Sequence, residues 1–270
     1  MDANKIHFVK MHGAGNDFVM IDDRGGQTPT DRAFIAALAA RRTGVGCEGV
    51  ILVQKSETDD FKMRFFNPDG GEAELCGNGA RCVAAFALAI GAAKGPKMTF
   101  ETLAGRVAAE VLDEKNVRVR MPDPKDLRDD FANSGVPHKI VPVADLAATD
   151  VDGEGRRIRY SDEFAPAGTN VDFVAYAPPH DAALRTYERG VEAESGACGT
   201  GAVATAVVGV AQHGMAFPVR VKTSSGYTLV IDGTRTPDGG FTDVTLTGPV
   251  AVVFSGRFHF PTSPLSVNMV

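Results

Sequence analysis

Cysteine is scarce in this sequence, cationic charge is in deficit, and long apolar runs are missing; each shortage removes a class of protein. Four cysteines (Cys47, Cys76, Cys82, Cys198) in 270 residues are too few for a disulfide scaffold. No two are spaced Cys-x-x-Cys, so a structural zinc site, which needs four close nitrogen or sulfur ligands, is not expected, and no metal is assigned. Lys and Arg number 28 against 34 Asp and Glu, and the net charge of −6 argues against nucleic acid, which demands basic surface. The longest apolar run, about eleven residues from Val83 to Ala93, falls short of the roughly 20 that a membrane-spanning helix needs. The first ten residues lack the apolar core of a secretory signal, so a cytoplasmic location without membrane attachment is expected. No glycine turn continues into Gly-Lys-Ser/Thr, and no ribose-binding acid follows at the usual offset, so a nucleotide site is weakly supported.

What is present is organised around Glu72–Arg81, Glu-Ala-Glu-Leu-Cys-Gly-Asn-Gly-Ala-Arg. A cysteine stands directly before a Gly-x-Gly turn, and Val83–Ile90 behind it is apolar on every side. A helix apolar all round must be buried. The thiol of Cys76 would then sit at a helix mouth, where free N–H groups and the positive end of the dipole gather, a place that can hold an anion and lower a thiol pKa. The plainer alternative is a glycine-rich helix start with an inert core cysteine. A second copy favours the first reading. Gly196-Ala-Cys-Gly-Thr-Gly-Ala202 repeats the turn, Val203–Ala211 repeats the apolar helix, and Cys198 follows Cys76 by 122 residues, a domain length. Gly15–Phe18 is echoed by Gly168–Phe173, and Arg64–Asn67 by Arg185–Glu188, which places Asn67 and Glu188 equivalently before the two cysteines. An internal duplication is therefore expected.

Strands are predicted over Ile6–Met11, Phe18–Ile21, Gly49–Val53, Phe61–Phe66, Met98–Thr102, Arg106–Leu112, Val117–Met121, Lys139–Val143, Val171–Tyr176, Val219–Lys222, Tyr227–Ile231, Phe241–Leu246, Val250–Phe254 and Arg257–Phe260. Thr30-Asp31 caps a helix over Arg32–Arg41, and Asp150–Gly155 reads as a polar loop. The pattern is α+β: two similar halves, each many strands and one strongly apolar helix, with strands wrapped round the helix as the economical packing.

Two thiols at two helix starts suggest two-base proton transfer at one carbon. A racemase or epimerase removes a proton from one face and returns one to the other, and one base cannot easily serve both. The negative charge that develops on an amino-acid carboxylate needs fixed donors, which N–H groups around Gly77-Asn78-Gly79 and Gly199-Thr200-Gly201 can supply. No lysine stands in either turn, so a cofactor-free reaction is favoured over pyridoxal phosphate. His138 could orient or exchange a proton with one thiol, and Glu188 could serve the other; a loop histidine and a surface Glu188-Arg189 pair are the plain alternatives. Asn16, Asn67 and Asn170 lie in glycine or proline turns, which alone could explain them, yet each could also offer donor and acceptor to a zwitterion. Cys47 and Cys82 read as structural.

At these residues the chain resembles the diaminopimelate epimerase family. The resemblance rests on Lys10-Met-His-Gly-Ala-Gly-Asn-Asp-Phe18, on Phe65-Phe-Asn-Pro-Asp-Gly-Gly-Glu-Ala-Glu-Leu-Cys-Gly-Asn-Gly-Ala-Arg-Cys82, on Gly168-Thr-Asn-Val171, and on Glu188-Arg-Gly-Val191 followed by Ala197-Cys-Gly-Thr-Gly-Ala202. It implies two pseudo-symmetric domains, each a barrel-like mixed or antiparallel sheet around a central apolar helix, with the active site in the cleft between them. The domains would be 1–118 with about 251–270, carrying Cys76, and 119–250, carrying Cys198. It implies cofactor-free interconversion of LL- and meso-diaminopimelate, with Cys76 and Cys198 as acid/base thiols assisted by His138 and Glu188. Asn16, Asn67, Asn170, Glu188 and Arg189 would contact this small amino-acid substrate, while Gly77-Asn78 and Gly199-Thr200 would hold its carboxylate and amino end. A homodimer is left open. Three departures bear on this: Val136 stands where many members have asparagine, Gly49 where some have glutamine, and the stretch from Arg189 to Cys198 is one residue longer than the shortest family form. A racemase for histidine or proline on the same scaffold, and a binding module that has lost catalysis, are the alternative readings.

Overall fold

A computed structural model of the chain describes residues 5–259, which divide into two compact units. The first comprises 5–13, 17–110 and 250–259. Its elements are β1 (Lys5–Gly13), β2 (Asn16–Asp22), α1 (Arg32–Ala39), β3 (Gly49–Gln54), β4 (Phe61–Phe66), β5 (Glu72–Ala73), α2 (Gly77–Ala89), β6 (Lys97–Thr102) and β7 (Gly105–Val111). β2 runs parallel to β3, β3 antiparallel to β4, β4 parallel to β6 and β6 antiparallel to β7, with β5 paired on β4.

The second unit comprises 14–16 and 111–249. It contains β8 (Asn116–Arg120), β9 (Lys125–Arg128), β10 (Phe131–Asn133), β11 (Pro137–Pro142), α3 (Val151–Arg159), β12 (Asn170–Ala177), β13 (Asp181–Glu188), β14 (Ala193–Ser195), α4 (Gly199–Gln212), β15 (Val219–Thr223), β16 (Thr228–Arg235) and the first part, up to Pro249, of β17 (Phe241–His259). β11 runs parallel to β12, β12 antiparallel to β13, β13 parallel to β15 and β15 antiparallel to β16, with β14 paired on β13. The order of elements and the sense of every pairing repeat those of the first unit. β17 pairs first with β16 and β8, then from Val250 onward with β1. The part of the expected C-terminal return at 260–270 lies outside the described residues.

The duplication thus sets β2-α1-β3-β4-β5-α2 against β11-α3-β12-β13-β14-α4, and register makes it residue-specific. Val50 faces Phe66 as Val171 faces Tyr187, and Phe18 faces Gly49 as His138 faces Asn170. The echo of Arg64–Asn67 in Arg185–Glu188 is confirmed by this register. The echo of Gly15–Phe18 in Gly168–Phe173 is not: the first opens β2, whereas the second leads into β12, whose counterpart is β3. Asn170 therefore matches Gly49, not Asn16.

In each unit a barrel-like mixed sheet curls round the apolar helix. α2 packs against β1, β3 and β4, and α4 against β10–β13, β15 and β16. The α4 side chains Val203, Val207 and Val208 are wholly buried, each contributing roughly 1.5–3 kcal/mol of hydrophobic stabilisation. The opposite sheet face is covered by the other helix. Phe34, Ile35 and Leu38 of α1 pack on Val19, Val50 and Leu52, and Val151 of α3 packs with Val171, Phe173 and Tyr187. β3 and β12 are thus buried on both faces, which is why Gly49–Val53 reads as a continuous apolar run.

α3 corrects the expectation of a polar loop at Asp150–Gly155. Asp150 caps the helix, its side chain accepting from the Gly153 N–H at 2.9 Å. Glycines at 153 and 155 each lower helix propensity by about 1 kcal/mol, which hid the element. Packing explains Gly155: a Cβ there would lie 2.4 Å from Cβ of Tyr187. α1 also ends at Ala39 rather than Arg41. Among the described residues no helix is long and apolar enough to cross a membrane.

Candidate active site

The two cysteines occupy the same structural position. Cys76 is the N-cap residue of α2 and Cys198 that of α4, both with extended backbone; the side chain of Cys198 accepts from the helix start, whereas that of Cys76 makes no cap hydrogen bond. The stretches before them match as well. Arg64 pairs with Glu72 at 2.8 Å and Arg185 with Glu194 at 2.6 Å, pinning β5 to β4 and β14 to β13. Each of these glutamates stands four positions before its cysteine, so the longer spacing in the second half is absorbed before Glu194.

In the second unit Cys198 is buried and its Sγ accepts from the Gly201 N–H at 3.4 Å. Thr200 Oγ1 lies 3.4 Å from Sγ and 2.9 Å from Nε2 of His138. Nδ1 of His138 meets Oδ2 of Asp172 at 2.6 Å, and the hydroxyl of Thr186 donates to Oδ1 of Asp172 at 2.6 Å. His138 and Asp172 are both 0 % exposed. Burial pushes the Cys198 thiol well above its ordinary value, the charges of Glu188 and Asp172 push the same way, and Thr200 and the Gly201 N–H act against them. The helix start alone therefore does not produce the lowered pKa expected there. Gly201 is required by this packing, because a Cβ would sit 2.7 Å from Oδ1 of Asp172.

In the first unit the equivalents are apolar. Phe18 stands in place of His138 and Ile51 in place of Asp172; Gly79, the counterpart of Gly201, would put a Cβ 2.9 Å from Cδ1 of Ile51. The polar support here is Arg81, wholly buried one turn into α2. Its Nη2 donates to Oδ1 of Asn78 at 2.7 Å and its Nη1 to the Gly77 carbonyl at 3.3 Å, while Nε finds no hydrogen-bond partner among the described residues. Burial pulls the guanidinium down to about 10, with the thiols of Cys82 and Cys76 acting to raise it. Since a guanidinium only donates, Asn78 must turn its oxygen toward Arg81 and its NH2 away. Burial raises Cys82 to about 12 and Cys47 to about 11, which keeps both as inert thiols at neutral pH.

The other expected site residues are distributed over the two units. Asn170 is buried; its Nδ2 donates to the Pro137 carbonyl at 3.2 Å and lies 3.4 Å from Nε2 of His138, and its Oδ1 accepts from the Arg189 N–H at 2.7 Å. It thereby fixes the turn that carries Glu188 and Arg189, both half-buried, with Nη1 of Arg189 donating to the Gly168 carbonyl at 3.4 Å. Glu188 is close enough to act electrostatically on Cys198. Asn16 is half-buried and belongs with the second unit; the adjacent Ala14 carbonyl accepts from the Ser225 hydroxyl at 2.9 Å. Asn67 is exposed in the turn that Gly71 closes onto its N–H. Gly77 and Asn78 in one helix start, and Gly199 and Thr200 in the other, hold matching places. Gly49 admits no side chain, since a Cβ would lie 2.4 Å from Cε2 of Phe65, and Val136 brings no polar group to its turn.

Sequence reasoning passed over Asp172, Thr186 and Arg81. Strand alternation could have found the first: Asp172 is two residues from Asn170 and shares its face. Arg81 is the one charge in an otherwise uncharged helix.

Comparison with known proteins agrees with this architecture. The fold is shared with a phenazine biosynthesis protein of the PhzF family from Bacillus anthracis, at TM-score 0.73 and 17% identity over 94% of this chain and 98% of that one. It is shared also with a hydroxyproline epimerase from Agrobacterium vitis, at TM-score 0.66 and 18% identity over 95% and 93% of the two chains. These likenesses show a shared fold. The family model described as diaminopimelate epimerase matches residues 8–126 and 131–252. Diaminopimelate epimerase of Aquifex aeolicus is 43% identical over 93% of this chain and 97% of its own length, and that of Chlorobaculum tepidum 40% over 91% and 98%. The chain belongs to the diaminopimelate epimerase family.

Proposed function

We propose that this chain is an isomerase that interconverts LL- and meso-diaminopimelate without a cofactor, using Cys76 and Cys198 as its two acid/base groups. The observation that carries this reading is the matched pair of cysteines, each capping an equivalent buried helix in a chain of this family. In the reaction one thiolate takes the α-proton, the electron pair passes into the carboxylate, and the other thiol gives its proton to the opposite face; a thiol and a thiolate have then exchanged roles. The N–H groups at the starts of α2 and α4 are rigid donors suited to the charge that develops. His138 and Glu188 assist the two thiols, His138 lying next to Thr200 on the Cys198 side, and Asn78, oriented by Arg81, supports the Cys76 side. Asn16, Asn67, Asn170 and Arg189 complete the contacts to the substrate. The product class feeds lysine and peptidoglycan precursor synthesis, consistent with a cytoplasmic enzyme.

The test is a panel of Cys76→Ala and Cys198→Ala variants against LL-diaminopimelate, histidine and proline. Each variant should lose at least about 1,000-fold in interconversion of diaminopimelate, in the upper range of what positioned acids and bases supply. Turnover of histidine or proline but not of diaminopimelate would overturn the substrate assignment. Undiminished rates in both variants would overturn the thiol pair.

A further inference from the structure

We propose that Glu192 is a positioning residue: its carboxylate clamps the turn 188–192 to the end of α3 and so holds Arg189 where it meets the substrate. The inference rests on the reading of Arg189 as a substrate contact and adds the group that sets it. The two halves point to this turn. Phe66 pairs with Glu72 as Tyr187 pairs with Glu194, so the stretches between are counterparts. Four residues (68–71) lie between Asn67 and Glu72, and five (189–193) between Glu188 and Glu194. The extra residue of the second half falls in the turn that carries Glu192.

Donors from the turn, from α3 and from β13 converge on that carboxylate. The Gly190 N–H donates to Oε1 at 3.0 Å and Nη2 of Arg159 to the same oxygen at 3.2 Å. The hydroxyls of Tyr160 and Tyr187 donate to Oε2 at 2.9 and 3.3 Å. The Gly190 N–H foremost, then Tyr160 and Arg159, hold the carboxyl below its ordinary value against the cost of desolvation. Beneath it, the N–H groups of Val191 and Glu192 close the turn onto the Glu188 carbonyl at 3.2 and 2.8 Å. Glu192 has φ 60°, the left-handed region that a residue with a Cβ enters at a cost. Glycine would follow that backbone more easily, so it is the carboxylate's bonds, not the chain path, that account for a glutamate here.

The clamp reaches Arg189 by two routes. Gly190 is its neighbour in the chain, and on the other side Asn170 Oδ1 accepts the Arg189 N–H at 2.7 Å. Nη1 of Arg189 and Nη1 of Arg159 also share the Ala167 carbonyl, each at 3.4 Å. Two guanidinium groups on one carbonyl repel, and the Glu192 charge on Arg159 offsets that repulsion. Arg159 is itself fixed: it packs over Gly168, where a Cβ would lie 1.5 Å from its Nη1, and over the Tyr160 ring at 4.7 Å. The first unit anchors its turn differently, through backbone: Gly70 lies so close to α1 that a Cβ would sit 2.6 Å from Cα of Arg32.

Glu192→Gly deletes the carboxylate while relieving the backbone, so it separates positioning from folding. It should leave Tm close to that of the parent, raise KM for diaminopimelate about tenfold and change kcat by less than about threefold, the signature of lost binding. Glu192→Gln keeps an acceptor for the Gly190 N–H but not the charge, and should fall between. In an Arg189→Ala background Glu192→Gly should add less than about twofold, because changes that act through one contact do not add. An unchanged KM, or a full tenfold loss in the Arg189→Ala background, would overturn the proposal. Two further readouts need no substrate. The bond to Glu192 is the chief cause that raises the Tyr160 phenol. The Tyr160 phenolate midpoint, taken by difference from Tyr160→Phe, should therefore fall in Glu192→Gln. Amide exchange over 188–192 should quicken in the same variant and stay unchanged over α4. An unmoved midpoint, or unchanged exchange in the turn, would show that no clamp exists. A protein with both shifts that does not turn over diaminopimelate would leave the clamp standing and refute the substrate.

Discussion

The two halves hold the same cysteine at the same helix start and surround it with opposite chemistry. Beneath α4 lies a polar chain, Thr186–Asp172–His138–Thr200, reaching Cys198. Beneath α2 the same positions hold Phe65, Ile51 and Phe18, and the polar support comes from within the helix, where Arg81 takes the place that Val203 occupies in α4. One half places an imidazole one threonine hydroxyl away from its sulfur, and the other a buried guanidinium in its helix. A duplicated scaffold kept its backbone geometry, which the register demands, while the side chains under each sulfur diverged. Under the proposed two-base reaction, two thiols that must hold different protonation states before each turnover gain from unlike surroundings.

That contrast can be broken from either side. The largest effect is expected from Asp172→Asn, which should reduce kcat about 100-fold, whereas Ile51→Val at the matching position should leave kcat unchanged and cost only about 1 kcal/mol in denaturant unfolding. Equal losses of activity would show that both positions serve packing alone. Next is Arg81→Met. Removing a buried guanidinium with an unpartnered Nε should leave thermal stability unchanged or higher, because desolvating such a charge is costly. It should still lower kcat/KM about tenfold, as Asn78 loses the donor that orients it; Arg81→Lys should recover part of that loss. Activity unaffected by both changes would remove Arg81 from the site. Third, Gly49→Ala should destabilise the first unit by roughly 1–3 kcal/mol through its clash with Phe65, and Gly49→Ala with Phe65→Ile should recover most of it.

The smallest effect is on stability at alkaline pH. The folded pKa values of Cys47 and Cys82, about 11 and about 12, lie above the ordinary 9.0. Their contribution to stability is therefore full below pH 9.0 and is lost as pH rises through the folded values, because the unfolded chain releases these protons first. Cys82→Ala should flatten the fall of Tm above pH 9.0, and an unchanged slope would show that the thiol is not the source.

Much of this was legible in the sequence because it is periodic or repeated. The glycine turns, the two apolar helices and the alternating strands are local signals, and the matched cysteines follow from self-comparison alone. The contrast between the halves was not legible. It depends on which residue of β12 faces α4, and so on strand register across 34 residues from His138 to Asp172. The misplaced echo of Gly15–Phe18 shows the same limit: similar turns precede β2 and β12, and only pairing reveals that β12 answers to β3. α3 was hidden because a packing demand from Tyr187 placed glycine where helix propensity would forbid it.

The most direct test of the central claim, that two thiols act on one carbon, is the early-time isotope content of substrate and product in D2O. Reduced protein is incubated with LL-diaminopimelate, the reaction is stopped within the first few per cent of conversion, and both isomers are separated and weighed by mass spectrometry. The two-base account predicts meso product carrying one deuterium at the inverted centre and recovered LL substrate carrying none. Product that retains its protium, or deuterium entering substrate and product equally, would contradict it.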